Sequence, residues 1–122
     1  MSKTAVAGDS ARPEPAGAPS IRGVTLQPAT YSVSVEGRLV PLSPQELKLL
    51  QILMGNAGRV LSFPFLLQQA WGQERMDDSR TLKTHILRLR RKIERNPHAP
   101  LFIRTVRGAG YIFDVDQPKT LY

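Results

Sequence analysis

The sequence contains no cysteine in its 122 residues. That removes disulfide staples, thiolate metal sites and cysteine nucleophiles, and it fits a reducing compartment. No apolar run approaches the ~18 residues that a membrane-spanning helix needs. The N-terminus lacks the apolar stretch of a secretory signal. Histidine is limited to His85 and His98, one on a predicted helix and one in a loop, so no metal site is expected. No glycine-rich loop leads into a Lys-Ser/Thr pair. Ser43 and Ser62 are explained by helix capping rather than nucleophilic chemistry. Asp77 and Asp78 suit a helix N-terminus, not an acid–base pair in a concave apolar site. Neither an enzyme nor a cofactor is therefore expected.

What remains is a short, basic chain. Its length fits one domain plus a tail, and 41% apolar residues supply one modest core. The net charge is +7. Such a balance points to a polyanion, either nucleic acid or an anionic membrane surface. Its distribution is informative: Lys and Arg are thin up to Arg59 and crowd between Arg75 and Arg107. Residues 1–20 are rich in Ala, Pro, Gly and Ser and read as a flexible tail or linker. The folded domain is expected over 21–117, with 118–122 a C-terminal tail.

Local signals order the elements. Val24 and Leu26 mark a first strand. Tyr31, Val33 and Val35 alternate with Ser32, Ser34 and Glu36, as in a half-buried strand. Glu36-Gly37 is a turn into a strand at Arg38–Pro41. Ser43, Pro44 and Glu46 form a capping-box signature ahead of a helix with Leu47, Leu50, Leu53 and Met54 on its apolar face, stopping near Asn56–Gly58. Arg59–Leu61 is a candidate short strand. Ser62 and Pro64 open a second helix carrying Leu66, Leu67, Ala70 and Trp71, ended by Gly72. A third helix is predicted from Ser79 to Arg95, capped by Asp78 and ended by Asn96-Pro97. A hairpin follows, with strands at Phe102–Val106 and Tyr111–Val115 around Gly108-Ala109-Gly110. Strands, three helices and a hairpin in this order argue an α+β fold.

At 100° per residue, Leu82, Ile86, Leu89 and Ile93 of the third helix share one stripe, which is the core face. The opposite side carries Arg80, Thr84, Leu87, Arg88 and Arg91, bordered by Lys83. Arg90 and Lys92 lie nearer the apolar stripe, where their stems can cover it. Between Arg80 and Lys92 there are six basic residues and no acidic one. A face built only for solubility usually mixes signs, because like charges repel at helical spacing. A helix of this kind fits the DNA major groove, where arginine pairs with a guanine edge and Thr84 or Leu87 can meet a thymine methyl. At the hairpin tip, Arg107 beside two glycines suits entry into a narrow minor groove.

The stretch RTLKTHILRLRRKIE from Arg80, followed by IRTVRGAGYIF from Ile103, closely resembles the OmpR/PhoB-type winged-helix effector domain of bacterial response regulators. The upstream LSPQELKLLQILMGNAGRVLSFPFLLQQAWG resembles the first two helices of that family. The resemblance covers roughly residues 22–116. It implies a winged helix-turn-helix with an N-terminal antiparallel sheet of about four strands, three helices and a C-terminal hairpin. It makes 79–95 the recognition helix and 103–115 the wing. It puts base or phosphate contacts on Arg80, Thr81, His85, Leu87, Arg88, Arg90, Thr105 and Arg107. Leu87 departs from the family, which often has a basic or polar reader there, and so implies a different operator. Trp71 resembles a tryptophan that donates to a phosphate, or it is a partly buried core aromatic. Gln73, Glu74, Arg75, Met76 and Asp77 match a loop that can touch RNA polymerase, or they form a solvated connector.

The function expected is sequence-specific binding of double-stranded DNA and transcription regulation as the output domain of a two-component regulator. The resemblance implies two copies on direct repeats, a phosphorylatable receiver domain N-terminal in a longer parent chain, and a cytoplasmic, nucleoid-associated protein. A stand-alone regulator is the other possibility. The competing reading is a winged-helix protein–protein module without DNA, its best feature the acidic cluster Glu74, Asp77 and Asp78. Double-stranded RNA is disfavoured, because its deep, narrow major groove excludes a helix.

Overall fold

The computed structural model describes residues 20–72 and 79–115. Four short strands open it: β1 (Ser20–Ile21), β2 (Val24–Gln27), β3 (Ser32–Val35) and β4 (Arg38–Pro41). They form an antiparallel sheet in sequence order. Its register pairs Val24 with Val35 and Val33 with Val40. The β1–β2 and β3–β4 turns, Arg22-Gly23 and Glu36-Gly37, have positive φ at both central residues. That is the twist-matched geometry of tight hairpins, and it explains the glycine in each.

Strand pairing begins at Ser20, one residue before the sequence-based boundary, with Ser20 opposite Thr25. Val33 and Val35 of β3 are buried as the alternation expects, but the pattern fails at the start of the strand. Tyr31 is half exposed while Ser32 is buried. A 3-10 turn over Pro28–Thr30 leaves Tyr31 left-handed, with φ 49°, so the strand starts after it. The Ser32 hydroxyl is satisfied by Thr30 at 2.7 Å, which makes its burial tolerable.

Helix α1 (Pro44–Gly55) starts at the predicted capping box. The Glu46 amide donates to the Ser43 hydroxyl, and the Ser43 amide donates to Glu46 Oε1. Leu49 is buried along with Leu47, Leu50, Leu53 and Met54, so α1 is covered on more than the single expected face. Strand β5 (Leu61–Ser62) leads into α2 (Phe63–Trp71), which buries Leu66, Leu67 and Ala70. Helix α3 (Ser79–Ile93) buries Leu82, Ile86, Leu89 and Ile93, the stripe that its periodicity predicts. Strands β6 (Ile103–Val106) and β7 (Gly110–Phe113) form the hairpin, and β5 joins β7 to make a three-stranded sheet in the order β5-β7-β6.

One continuous core joins these parts. Val24, Leu26, Val33 and Val35 of the first sheet, the helix interiors, and Phe102, Ile103, Tyr111 and Phe113 of the hairpin region belong to it. Phe102 stacks on Phe113 with centroids 6.0 Å apart, and Phe63 meets Tyr111 edge-on at 5.6 Å. Gly110 sits against β5 so closely that a Cβ would overlap the Leu61 carbonyl, which explains glycine there. Arg22 fastens the first hairpin to the last: it donates to the carbonyls of Leu101 and Asp114 and lies over the Phe102 ring.

Candidate nucleic-acid interface

Helix α3 is anchored by its apolar stripe, so the remaining face is set by geometry alone. Arg80, Lys83, Thr84, Leu87, Arg88 and Arg91 are exposed. Among the described residues no carboxylate pairs with Arg80, Lys83, Arg88 or Arg91. Like-charge neighbours at Arg80/Lys83, Arg88/Arg91 and Arg88/Lys92 each cost a helix about 0.2–0.5 kcal/mol. Arg80 also opposes the positive end of the helix dipole, with no acidic residue in the first turn of α3. These local costs are offset if a polyanion covers the face. Arg90, Arg91 and Lys92 in the last turn agree with the dipole.

The wing lies beside this helix. Arg107, Gly108 and Ala109 at its tip are exposed. Gly108 has φ 75°, and the Ala109 amide closes the turn onto the Val106 carbonyl. Among the described residues Arg107 has no carboxylate partner. A cation on a narrow tip next to a cationic helix face is a shape suited to adjacent grooves of a duplex.

Two cations of α3, the expected contact Arg90 and Lys92, are engaged inside the protein. Arg90 donates through Nε to the Ile103 carbonyl at 3.0 Å and through its terminal nitrogen to the Thr105 hydroxyl at 2.8 Å. It also lies over the Tyr111 ring at 5.7 Å. Burial lowers the Arg90 pKa, opposed by Tyr111 and Glu94; burial raises that of Tyr111, opposed by Arg90. Lys92 meets Glu46 Oε1 at 2.6 Å and the Pro41 carbonyl at 3.2 Å. Of the sequence-predicted contact residues, Arg90 and Thr105 are thus bonded to each other across the helix–wing junction.

His85 and Trp71 are half-buried and meet edge-on with centroids 5.0 Å apart. His85 Nδ1 donates to the Thr81 carbonyl at 2.9 Å, which leaves Nε2 for another partner. Trp71 packs against the core, so the core-aromatic alternative has direct support. The loop Gln73–Asp77 and the Asp78 cap lie outside the described residues.

Sequence reasoning missed Glu94. Helix α3 ends at Ile93, two residues before the expected Arg95, and Glu94 is buried. Its carboxylate accepts the amides of Leu101, Phe102 and Ile103 at 2.7–3.1 Å. The available signal was a lone acidic residue at the helix end where the dipole disfavours it. Arg95 turns instead to Glu36 of the β3–β4 turn, at 3.0 Å.

A basic helix seated in a three-helix core, with a glycine-tipped hairpin alongside, defines a winged helix-turn-helix domain of the DNA-binding class. A family profile described as "Transcriptional regulatory protein, C terminal" matches residues 37–113. The alkaline phosphatase synthesis transcriptional regulatory protein SphR of Synechococcus elongatus is 42% identical over 101 residues, covering 80% of this chain and 39% of its own. The sensory transduction protein RegX3 of Mycolicibacterium smegmatis is 42% identical over 88 residues, covering 72% and 39%. The chain thus spans about two fifths of the length of these curated relatives. Among solved structures, the Klebsiella pneumoniae RstA DNA-binding domain in complex with the RstA box superposes with TM-score 0.69 at 32% identity, covering 80% of this chain and 96% of that one. The Thermotoga maritima response regulator DrrB, an OmpR/PhoB homologue, gives 0.71 at 30% identity, covering 80% and 44%. The chain belongs to the transcriptional regulatory protein C-terminal family, the OmpR/PhoB-type DNA-binding output domains of response regulators. That family is one of transcription regulators rather than of enzymes. Among the described residues, no helix is long and apolar enough to cross a membrane.

Proposed function

We propose that this domain reads duplex DNA with α3 across the major groove and the β6–β7 wing in the adjacent minor groove. The observation that carries the reading is the exposed cationic face of α3, where Arg80, Lys83, Arg88 and Arg91 pair with no carboxylate among the described residues, next to the exposed Arg107 tip. Thr84, Leu87 and Arg88 meet base edges. Arg80, Lys83 and Arg91 hold phosphates and set register. His85, through Nε2, Thr81 and Trp71 flank the same strand, and Arg107 takes the minor groove.

Two copies bind direct repeats as a dimer on DNA. A receiver domain in a longer parent chain controls them by phosphorylation, and the loop 73–77 is offered to RNA polymerase. The longer parent chain is supported by the length of the curated relatives, of which this chain covers 39%. The site of action is the cytoplasm, at the nucleoid, where such DNA lies.

The test is selection of bound duplexes from a random pool, then titration of the best duplex and a scrambled one at physiological salt. The best duplex should bind far more tightly. Its affinity should fall with salt with a slope of about −0.9 per neutralised phosphate. Arg88→Ala should cost about 1–3 kcal/mol and relax preference at one base pair. Equal affinity for the two duplexes would remove the specific-reader function and favour a protein–protein module.

A further inference from the structure

The last turn of α3 is bonded to the start of the wing on both sides of its backbone. Glu94 takes the amides of Leu101, Phe102 and Ile103, and Arg90 takes the Ile103 carbonyl and the Thr105 hydroxyl. Glu94 is 5% exposed. A carboxylate at a helix C-terminus opposes the dipole, so helix stability does not explain it. Three successive amides aimed at one carboxylate form an anion-binding nest. Here the anion is a side chain, and it fixes the strand that leads to Arg107 four residues later.

Resting on the DNA-binding reading above, we infer that Glu94, together with Arg90, is a positioning residue for DNA recognition: the pair clamps the wing to α3 and sets the offset between Arg107 and Arg88. Neither group needs to touch DNA for this. An arginine at a loose tip loses conformational entropy on entering a groove, whereas a tip held in register has lost much of it beforehand. The clamp therefore acts through Arg107, and its removal should silence the wing while leaving the helix contacts in place.

A double-mutant cycle on the full chain tests this, with the duplex selected from the random pool as probe. Parent, Glu94→Gln, Arg107→Ala and the double variant are titrated at a temperature where thermal melts show each folded. Glutamine keeps the size of Glu94 but presents an N–H to the nest. The expected result is that Glu94→Gln weakens binding by the same factor as Arg107→Ala, and that the double variant is no weaker than either. The salt slope should flatten equally in all three. Independent factors that multiply in the double variant overturn the inference, as does parental affinity for Glu94→Gln. A purely structural role would lower the melting temperature and leave the Arg107 factor intact. If Glu94→Gln does not fold, Arg90→Lys takes its place in the cycle. It keeps the charge and loses the forked contact, and the same non-additivity is expected. Multiplying factors on a duplex-specific parent remove only the clamp; a parent without duplex preference removes the underlying reading as well.

Discussion

Leu87 gives the most discriminating prediction about which bases the domain selects. It is 41% exposed in the middle of the cationic face, flanked by Thr84, Arg88 and Arg91, and it has no hydrogen-bonding group. In a major groove it can gain only from apolar contact, and the thymine C5 methyl is the apolar group there. Full burial of a leucine is worth about 1.5–3 kcal/mol. Covering the exposed two fifths then contributes about 0.6–1.2 kcal/mol, or roughly a three- to sevenfold gain in affinity. Deoxyuridine differs from thymidine by that methyl alone, so the assay substitutes uracil at each thymine of the selected duplex in turn. At one position the parent should lose roughly three- to sevenfold, while Leu87→Ala, already weaker by a similar factor, should lose nothing further. If uracil is neutral at every thymine, or costs both proteins alike, Leu87 does not read a methyl and the orientation of α3 in the groove is wrong.

Other perturbations probe the frame that holds the face. Burial alone would raise the Glu46 carboxyl pKa, but the Lys92 ammonium and the Ser43 hydrogen bonds outweigh it and hold it below its ordinary value. A lowered folded-state pKa means that this stabilisation is complete above the unfolded carboxylate range and is lost as pH falls through the folded value. Glu46→Gln should therefore cost about 1–2 kcal/mol at neutral pH, less than for a fully buried pair because Lys92 can reach water. Urea unfolding at neutral and acid pH should show the parent losing more stability on acidification than this variant. Gly110→Ala should destabilise by about 1–3 kcal/mol, because the added carbon strikes the Leu61 backbone. An unchanged melting temperature would contradict the β5–β7 pairing. Gly108→Ala, open in space but at φ 75°, should cost about 1–2 kcal/mol.

Periodic and capping signals carried the sequence reading, and it failed where contacts cross between elements. The α3 stripe and the Ser43–Glu46 cap depend on residues within one or two helical turns, so they are visible in a single stretch of chain. Tyr31 was misplaced because the turn at Pro28–Thr30 leaves it left-handed and ahead of the strand, and hydrophobic alternation alone does not mark where a strand starts. Helical angle set Arg90 nearer the apolar stripe than Arg91, yet the resemblance implied a DNA contact for Arg90, which binds Ile103 and Thr105 instead. That difference arises from a strand more than ten residues away. Glu94 showed only as an acidic residue misplaced at a helix end, since its three donors lie beyond the Asn96-Pro97 break.

These long-range contacts divide α3 by role along its length. Toward its C-terminus, Lys92 grips Glu46 and the Pro41 carbonyl, Arg38 donates to the Lys92 carbonyl, and Arg95 just beyond pairs with Glu36. Arg90 and Glu94 hold the wing from the other side. This end therefore joins the first sheet, α1 and the last hairpin. The exposed cations Arg80, Lys83 and Arg88 precede this joint, and Arg91 stands on its outer face. Tethering one end of a helix while leaving its charged face free keeps the readers on a rigid rod, and rigid placement reduces the ordering cost of binding. It also means that substitutions in the joint and in the face should be separable. Changes at Glu46 or Lys92 should move stability while sparing base preference, and changes at Arg88 or Leu87 should do the reverse.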